Sequence, residues 1–315
     1  MANGAIKIAF VVATKDRPKD IRRMLGSLES QSCRPDQVVI VDSSSEPVNN
    51  IVQEFPSLAI KYIYHDRPSA SAQRNAGIKA VSEGIDLIGF LDDDVVLESG
   101  AMEAMTKFWQ DASADVGGCG FNLRNFVPTG ATLLKHLSIV QEIGLYSKRK
   151  GVVMKSGWQT MIGTVERTTY VQWLPSTASV WRRRILDEFR FEEYFEGYSY
   201  LEDLDFSYAV CRNYRLAVVA DAGFYHYHSP SGRIGMYDFG KREVSNRLFF
   251  VRKHGLSLPR CYLALMVRLV MTIWSSLVAF NPAGFQRALG NCVAIVQNLL
   301  FGKKTSMGGI ANVGK

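Results

Sequence analysis

Ile85-Asp86-Leu87-Ile88-Gly89-Phe90-Leu91-Asp92-Asp93-Asp94 is an apolar run that ends in three consecutive carboxylates. The run reads as a buried strand. Like charges crowded at its end repel one another and cost stability unless a cation compensates. A hard divalent ion bound through carboxylate oxygens gives that compensation, and such ions usually carry substrate phosphates as well. In an extended segment Asp92 and Asp94 point one way and Asp93 the other. The expectation is therefore that Asp92 and Asp94 share one metal–phosphate group while Asp93 turns elsewhere. An acidic loop tip is the plain alternative for an isolated triplet, and the rest of the chain decides against it.

Upstream of the triplet, strand-like and helix-like segments alternate. Residues 8–13 are apolar and β-branched, a first strand. Residues 18–30 place Ile21, Met24, Leu25 and Leu28 on one helical face. A second strand over 37–42, a short helix over 49–55, a third strand over 60–64 and a helix over 71–82 follow. This alternation predicts a mostly parallel, three-layer α/β sheet. Ligands of such sheets bind outside the carboxyl ends of the strands. Thr14, Asp42, Asp66 and Asp92 all fall at or just past strand ends and should gather on one edge.

Residues 117–172 mix glycine, basic and aromatic residues and read as loops and short strands over the site. A helix is expected over 179–189, another from Glu202, and a strand over 216–220. After residue 255 the chain turns apolar, over 262–280 and again over 285–300, and the last residues are rich in Gly and Lys. The expected organisation is a catalytic domain over 1–255, an apolar or amphipathic helical extension over 256–302 and a disordered tail over 303–315.

The 315 residues are 47% hydrophobic and 21% charged, an ordinary globular balance. A formal net charge of +7 favours an anionic partner. Nucleic acid is not the expected one, because the basic residues form no single face and acidic clusters lie where the site should be. The five cysteines are scattered without a CxxC pair, which suits reduced thiols in the cytoplasm. Residues 6–13 contain a lysine and no cleavage pattern, so they read as a strand and not as a secretory leader.

An enzyme that moves a sugar from a nucleoside diphosphate needs a cation for the leaving diphosphate, and Asp92 and Asp94 can supply its site. Asp42, after Val39-Ile40-Val41, is placed to meet base or ribose; its bland role is to cap the next turn. Glu202 or Asp203 is the candidate general base for an attacking hydroxyl. Glu202 at a helix start also simply suits the dipole. His226 or His228 is a candidate further metal ligand, since imidazole binds Mn²⁺ more readily than Mg²⁺. Arg182-Arg183-Arg184 reads as a solvated charge run, or else as a phosphate contact.

Six segments in order resemble the inverting glycosyltransferases of family 2, which have the GT-A fold. They are Ala13-Thr14-Lys15-Asp16-Arg17-Pro18, Val39-Ile40-Val41-Asp42-Ser43-Ser44-Ser45, Gln73-Arg74-Asn75-Ala76-Gly77-Ile78, Asp92-Asp93-Asp94, Leu201-Glu202-Asp203-Leu204-Asp205 and Ala222-Gly223-Phe224-Tyr225-His226. The resemblance covers about residues 6–230. It implies a Rossmann-like catalytic domain and a nucleotide-sugar site at Thr14, Asp16, Arg17, Asp42, Arg74, Asn75, Asp92 and Asp93. It also implies Mn²⁺ or Mg²⁺ on Asp92, Asp94 and His226, with His228 the alternative. Asp203 becomes the preferred base, with Glu202, Ser176 and Thr177 on the acceptor side. Such an enzyme attacks the anomeric carbon from the face opposite the leaving diphosphate and needs no protein nucleophile. The Thr14-Lys15-Asp16-Arg17-Pro18 segment is similar to rhamnosyltransferase-like members, and UDP- and dTDP-linked donors would use similar base contacts. A non-catalytic nucleotide- or glycan-binding scaffold of the same fold is the competing reading.

The apolar extension carries a second expectation. Residues 262–280 approach the length of a membrane span, but Arg268 interrupts them. The expectation is an amphipathic helix on an anionic membrane, helped by Arg247, Arg252, Lys253 and Arg260, at the inner face of the plasma membrane. Homo-oligomer contact is the alternative. Membrane contact suits a glycan or polyprenyl-linked acceptor in surface-polysaccharide synthesis, by analogy with bacterial members of the family.

Overall fold

Strict alternation of buried side chains explains the first half of the chain. The computed structural model describes residues 6–127, 146–195, 197, 199–229 and 234–301. Its elements in order are β1 (Ile8–Thr14), α1 (Pro18–Glu29), β2 (Gln37–Asp42), α2 (Asn49–Val52), β3 (Ile60–Tyr64), α3 (Ala70–Ala80), β4 (Leu87–Asp92), β5 (Val95–Leu97) and α4 (Ala101–Asp111). They continue with β6 (Val116–Leu123), β7 (Thr169–Val171), β8 (Ala178–Arg182), α5 (Arg183–Glu188), α6 (Glu202–Cys211), β9 (Arg215–His226), α7 (Met236–Lys253), α8 (Leu258–Val278) and α9 (Pro282–Phe301).

The strands form one sheet in the order β3-β2-β1-β4-β8-β6-β9-β5, with β7 also on β9. β3, β2, β1 and β4 are parallel neighbours, and β6 and β9 pair in parallel. β8 enters antiparallel between β4 and β6, while β5 and β7 run antiparallel to β9. The sheet is thus mostly parallel, as expected. In β1, Ile8, Phe10 and Val12 join a core with Met24 and Leu25 of α1 and Met105 and Trp109 of α4. Ala9 and Val11 point to the other core, with Ile78 of α3 and Leu204 and Phe206 of α6. Helices on both faces of the sheet make the three layers.

Two expectations fail between the halves. Residues 179–189 are not one helix: Ser179, Val180 and Trp181 are fully buried in β8, and only Arg183–Glu188 is helical. Pairing on both sides overrides the helix-like spacing. β6 is an eight-residue strand where loops and short strands were expected, although residues 128–145 lie outside the described residues. Its glycines hide the strand signal, and each makes room for a large neighbour: a Cβ on Gly118 would lie 2.2 Å from the Trp181 indole, one on Gly117 2.8 Å from Tyr214 and one on Gly120 3.0 Å from Leu174. Arg182 and Arg183 are half-buried, Arg184 is exposed, and none of the three lines the cleft. They donate to the carbonyls of Val116, Ser82 and Ala114, at the edge opposite the cleft.

The apolar extension forms α8 and α9, and the helical group starts earlier than residue 256, because α9 packs on α7 as well as on α8. Two of the four basic residues expected to face a membrane are engaged within the protein. Arg247 is buried and donates to the Gly157 carbonyl at 2.5 Å and Gln159 Oε1 at 2.8 Å. Lys253 is tied to Asp205 and Glu192. The expected tail falls beyond the described residues.

Candidate functional site

The carboxyl ends of β1 and β4 open into a cleft of about 520 Å³ lined by Thr14, Arg17, Arg74, Asp92, Asp94 and His226 among others. β4 ends at Asp92 and the chain turns before β5. The strand alternation on which Asp92 and Asp94 would share a face therefore stops there. The three carboxylates go three ways. Asp92 accepts from Arg74 Nη2 at 3.0 Å. Asp93 accepts from Thr14 Oγ1 at 2.8 Å and Arg17 Nη1 at 2.9 Å. Asp94 meets His226 Nε2 at 2.8 Å and accepts the Ser229 N–H at 3.0 Å. Asp92 and Asp94 both line the cleft, but each takes a different partner, and two arginines and an imidazole balance the triplet.

Burial drives Asp93 up to about 7, against the opposing pull of Arg17 and Thr14. Burial also works to raise Asp94, but its hydrogen bond and Coulomb attraction to His226 hold it below the usual carboxylate range. For His226, burial is outweighed by the bond to Asp94 and by the charges of the triplet, so its proton affinity is raised.

Asp94, His226 and His228 offer ligand atoms all within 4.8 Å of one another, and the two imidazole rings lie 4.0 Å apart. One carboxylate with two imidazoles is a donor set that fits a borderline divalent ion such as Mn²⁺. His226 is held from both sides: its backbone N–H and carbonyl exchange hydrogen bonds with the Asn125 side chain. His228 is exposed.

The opposite wall is organised by three consecutive residues of α3. The Gln73 amide donates to the Thr14 and Val41 carbonyls, fixing the ends of β1 and β2. Arg74 is buried and spans Asp92 and Glu202, with Nη1 3.1 Å from Glu202 Oε1. Asn75 turns away from the cleft and clamps the backbone of Phe191 and the Glu193 carboxylate. Sequence reasoning gave Gln73 no role, although it stands beside Arg74 in the same segment. Lys15, His228, Ser229 and Arg242 also line the cleft; His228 is a candidate ligand from the sequence and Lys15 stands in the first resembling segment without a role, while Ser229 and Arg242 carry no sequence signal.

Asp203 follows Glu202 at the start of α6, where the first turn is acidic and the helix dipole favours it. Its Oδ1 accepts the Leu204 N–H at 2.7 Å. Burial, then the charge of Glu202, pushes Asp203 up to about 7. Leu201, which turns the chain into this helix, has a φ of 78°. Asp205 is not in the site: it is buried under Lys253 and His254, at 2.7 and 2.8 Å.

Asp42 is fully buried, and its carboxylate accepts from the N–H groups of Ser44 and Val48 and from the Tyr62 hydroxyl, all at 2.8 Å. This is the turn-capping geometry. Asp16, exposed and at a φ of 54°, accepts from the Ser45 N–H and hydroxyl at 2.8 Å, joining the loops after β1 and β2. Those hydrogen bonds lower its proton affinity. The Thr177 carbonyl accepts the Asp92 N–H at 2.9 Å, which lays the 174–177 loop beside the triplet. Ser176 is buried there with a hydroxyl that has no hydrogen-bond partner among the described residues.

Comparison with known proteins agrees with this geometry. Residues 9–165 match the profile of Glycosyl transferase family 2. An uncharacterized glycosyltransferase of Bacillus subtilis, YwdF, is 27% identical over 259 residues, 80% of this chain and 85% of that protein. Among solved structures, residues 1–349 of S. aureus TarS in complex with UDP-GlcNAc superpose with a TM-score of 0.53 at 16% identity, over 93% of this chain and 92% of that one. The longer TarS chain is covered over only 39% of its length. A mannosyltransferase of Pyrobaculum calidifontis in complex with GDP-Man and Mn²⁺ gives a TM-score of 0.55 at 14% identity, over 96% and 89%. These likenesses show the fold. With a family profile across the strands that build the cleft, a glycosyltransferase relative along most of the chain and GT-A neighbours, this chain belongs to glycosyltransferase family 2.

Proposed function

We propose that this glycosyltransferase is inverting and divalent-metal-dependent. It would move a hexosyl or deoxyhexosyl group from a UDP- or dTDP-linked donor to a hydroxyl of a glycan or lipid-linked acceptor in surface-polysaccharide synthesis. One observation carries the reading: Arg74, which lines the cleft together with Asp94, His226 and His228, bridges Asp92 to Glu202 and so ties the metal-ligand set to the Glu202–Asp203 helix start, which itself lies just behind the cleft wall. The solved neighbours bind UDP-GlcNAc and, with Mn²⁺, GDP-Man. An ion on Asp94 and the histidines would supply positive charge for the leaving diphosphate; two imidazoles favour Mn²⁺ over Mg²⁺ there.

The residues divide the remaining tasks. Thr14 and Arg17 hold Asp93 and so shape the floor under the diphosphate. Arg74 keeps Asp92 and Glu202 in register. Asp203, with a proton affinity near neutrality, takes the acceptor proton as the new bond forms. The site works at the inner face of the plasma membrane, with the C-terminal helices in peripheral contact with the bilayer. A panel of nucleotide sugars, assayed for thermal stabilisation with and without Mn²⁺ and then for transfer, tests the reading, because a ligand of the native state raises its melting temperature. Stabilisation without any transfer to glycan or lipid-linked acceptors would favour the binding scaffold.

A further inference from the structure

α8 and α9 form a hairpin whose closed end carries an unusual surface. Arg268 of α8 and Arg287 of α9 both reach Glu243 of α7, at 3.6 and 2.7 Å, and so mark one level across the hairpin. Between them, residues 269–286 contain no Asp, Glu, Lys, Arg or His. Before that level one face of α8 is packed, with Cys261, Ala264 and Leu265 buried, while Leu263 and Met266 are exposed on the other. Past it, Ile273, Trp274, Leu277, Val278 and Phe280 are all exposed, Trp274 at 68% and Phe280 at 89%. Ser275 and Ala279 are exposed with them, and within 273–280 only Ser276 is buried. A partner helix covers a stripe at i, i+3, i+4 and i+7. Apolar exposure on consecutive residues, running around the helix, suits an apolar medium instead.

The hairpin is also firmly mounted. α7 and α9 cross backbone to backbone: a Cβ on Gly290 would lie 2.1 Å from the Tyr237 carbonyl oxygen, and one on Gly240 would lie 2.3 Å from that of Arg287. The Asn291 amide donates to the Gly240 carbonyl at 2.9 Å. The same helix α7 brings Arg242 to the cleft.

We propose that the closed end of this hairpin, centred on Trp274 and Phe280, inserts into one leaflet of a phospholipid bilayer. From Leu269 to Val278 the helix rises about 15 Å, at ~1.5 Å for each of about 10 residues. That is about half of the ~30 Å hydrocarbon thickness. α8 as a whole is long and apolar enough to cross a membrane, but Arg268, paired with Glu243, and the face of its first half that is buried through Cys261, Ala264 and Leu265 restrict insertion to the end. Arg268 and Arg287 then stand at head-group level, where anionic lipid attracts them. The inference rests on the peripheral contact proposed above and adds the segment and its depth.

The test is sedimentation of the purified full chain with vesicles of phosphatidylcholine and phosphatidylglycerol. Intact protein should co-sediment, and the double variant Trp274→Glu, Phe280→Glu should partition roughly tenfold less or weaker still, with an unchanged melting temperature. Lipids brominated along the acyl chain should quench the fluorescence of the intact chain but not that of Trp274→Phe. If intact protein never sediments, membrane contact as a whole is overturned. If intact protein and double variant sediment equally, the hairpin end is overturned and peripheral contact elsewhere survives. A dimer that the double variant splits, without vesicle binding by intact protein, would assign the end to a second copy.

Discussion

Asp94 and His226 stand 132 positions apart in the chain, yet Asp94 Oδ1 lies 2.8 Å from His226 Nε2. β5 makes the contact by pairing antiparallel with the end of β9, which sets Val95 opposite His226. The short hairpin-like return after the triplet thus brings a carboxylate from the parallel half of the sheet to an imidazole from the other half.

Asp94→Ala removes the carboxylate of that set. Mn²⁺-dependent binding of nucleoside diphosphate, followed by calorimetry, should weaken by about 10²-fold or more, beyond the ~10–100-fold typical of lost supporting contacts around a metal. His226→Ala should cost more than His228→Ala, because Asn125 and Asp94 fix His226 whereas His228 is exposed. Undiminished Mn²⁺-dependent binding in Asp94→Ala would clear this cluster of the metal.

Asp203→Asn preserves shape and removes the proton acceptor. Binding of donor and metal should match wild type, and single-turnover transfer should slow by roughly 10²-fold or more. Normal transfer by Asp203→Asn with Glu202→Gln inactive would hand the role to Glu202, and full activity in both would take this helix start out of the chemistry.

The pH dependence follows from the same carboxyl. Burial and Glu202 push Asp203 up to about 7, and a base must be unprotonated, so the transfer rate should rise through about pH 7 and level off above it. Stability has the opposite sign. The folded carboxyl holds its proton more tightly than the unfolded one, so its contribution falls as pH climbs from 3.8 to about 7. Asp203→Asn should therefore melt higher than wild type above that window and lose this advantage below it. A rate flat between about pH 6 and 8 would show that Asp203 does not limit transfer.

Arg74 is worth a double-mutant cycle. Arg74→Ala strands the buried Glu202 carboxylate, a loss of about 3–5 kcal/mol in denaturant melts. Glu202→Gln in the same chain should return part of it, with a coupling of about 0.5–3 kcal/mol. Strict additivity would mean that the 3.1 Å contact contributes nothing.

Much of this was legible in the sequence because local and global signals agreed. β2 and β3 match their predicted ranges, and the strand ends deliver Thr14, Asp92 and the triplet to one edge. The misreadings share a cause, which is that partners distant in sequence decide. β8 looks helical until β4 and β6 flank it. β6 looks like loop and short strand until Trp181, Tyr214 and Leu174 fill the space its glycines leave. The direction of each Asp in the triplet was set by Arg74, Arg17 and His226, which no spacing rule connects. Asp42 had its capping alternative written in the Ser43-Ser44-Ser45 turn that follows it. Asp205, read within the acidic segment, is claimed by α7, whose position the sequence did not specify.

Leu201 has a consequence for how the enzyme fails. A left-handed φ of 78° on a buried leucine costs of order 1–2 kcal/mol and survives only while the surrounding core enforces it. Glycine there would ease the turn but empty its place in the core, so no single residue satisfies both demands. The aim of Glu202 and Asp203 is therefore a loan from the core beneath them. Warming or a cavity among Phe195, Leu204 and Phe206 should let the turn relax before the fold melts. Catalytic decline should then precede unfolding on a temperature ramp, and the gap between the two curves would measure how tightly the core grips that turn.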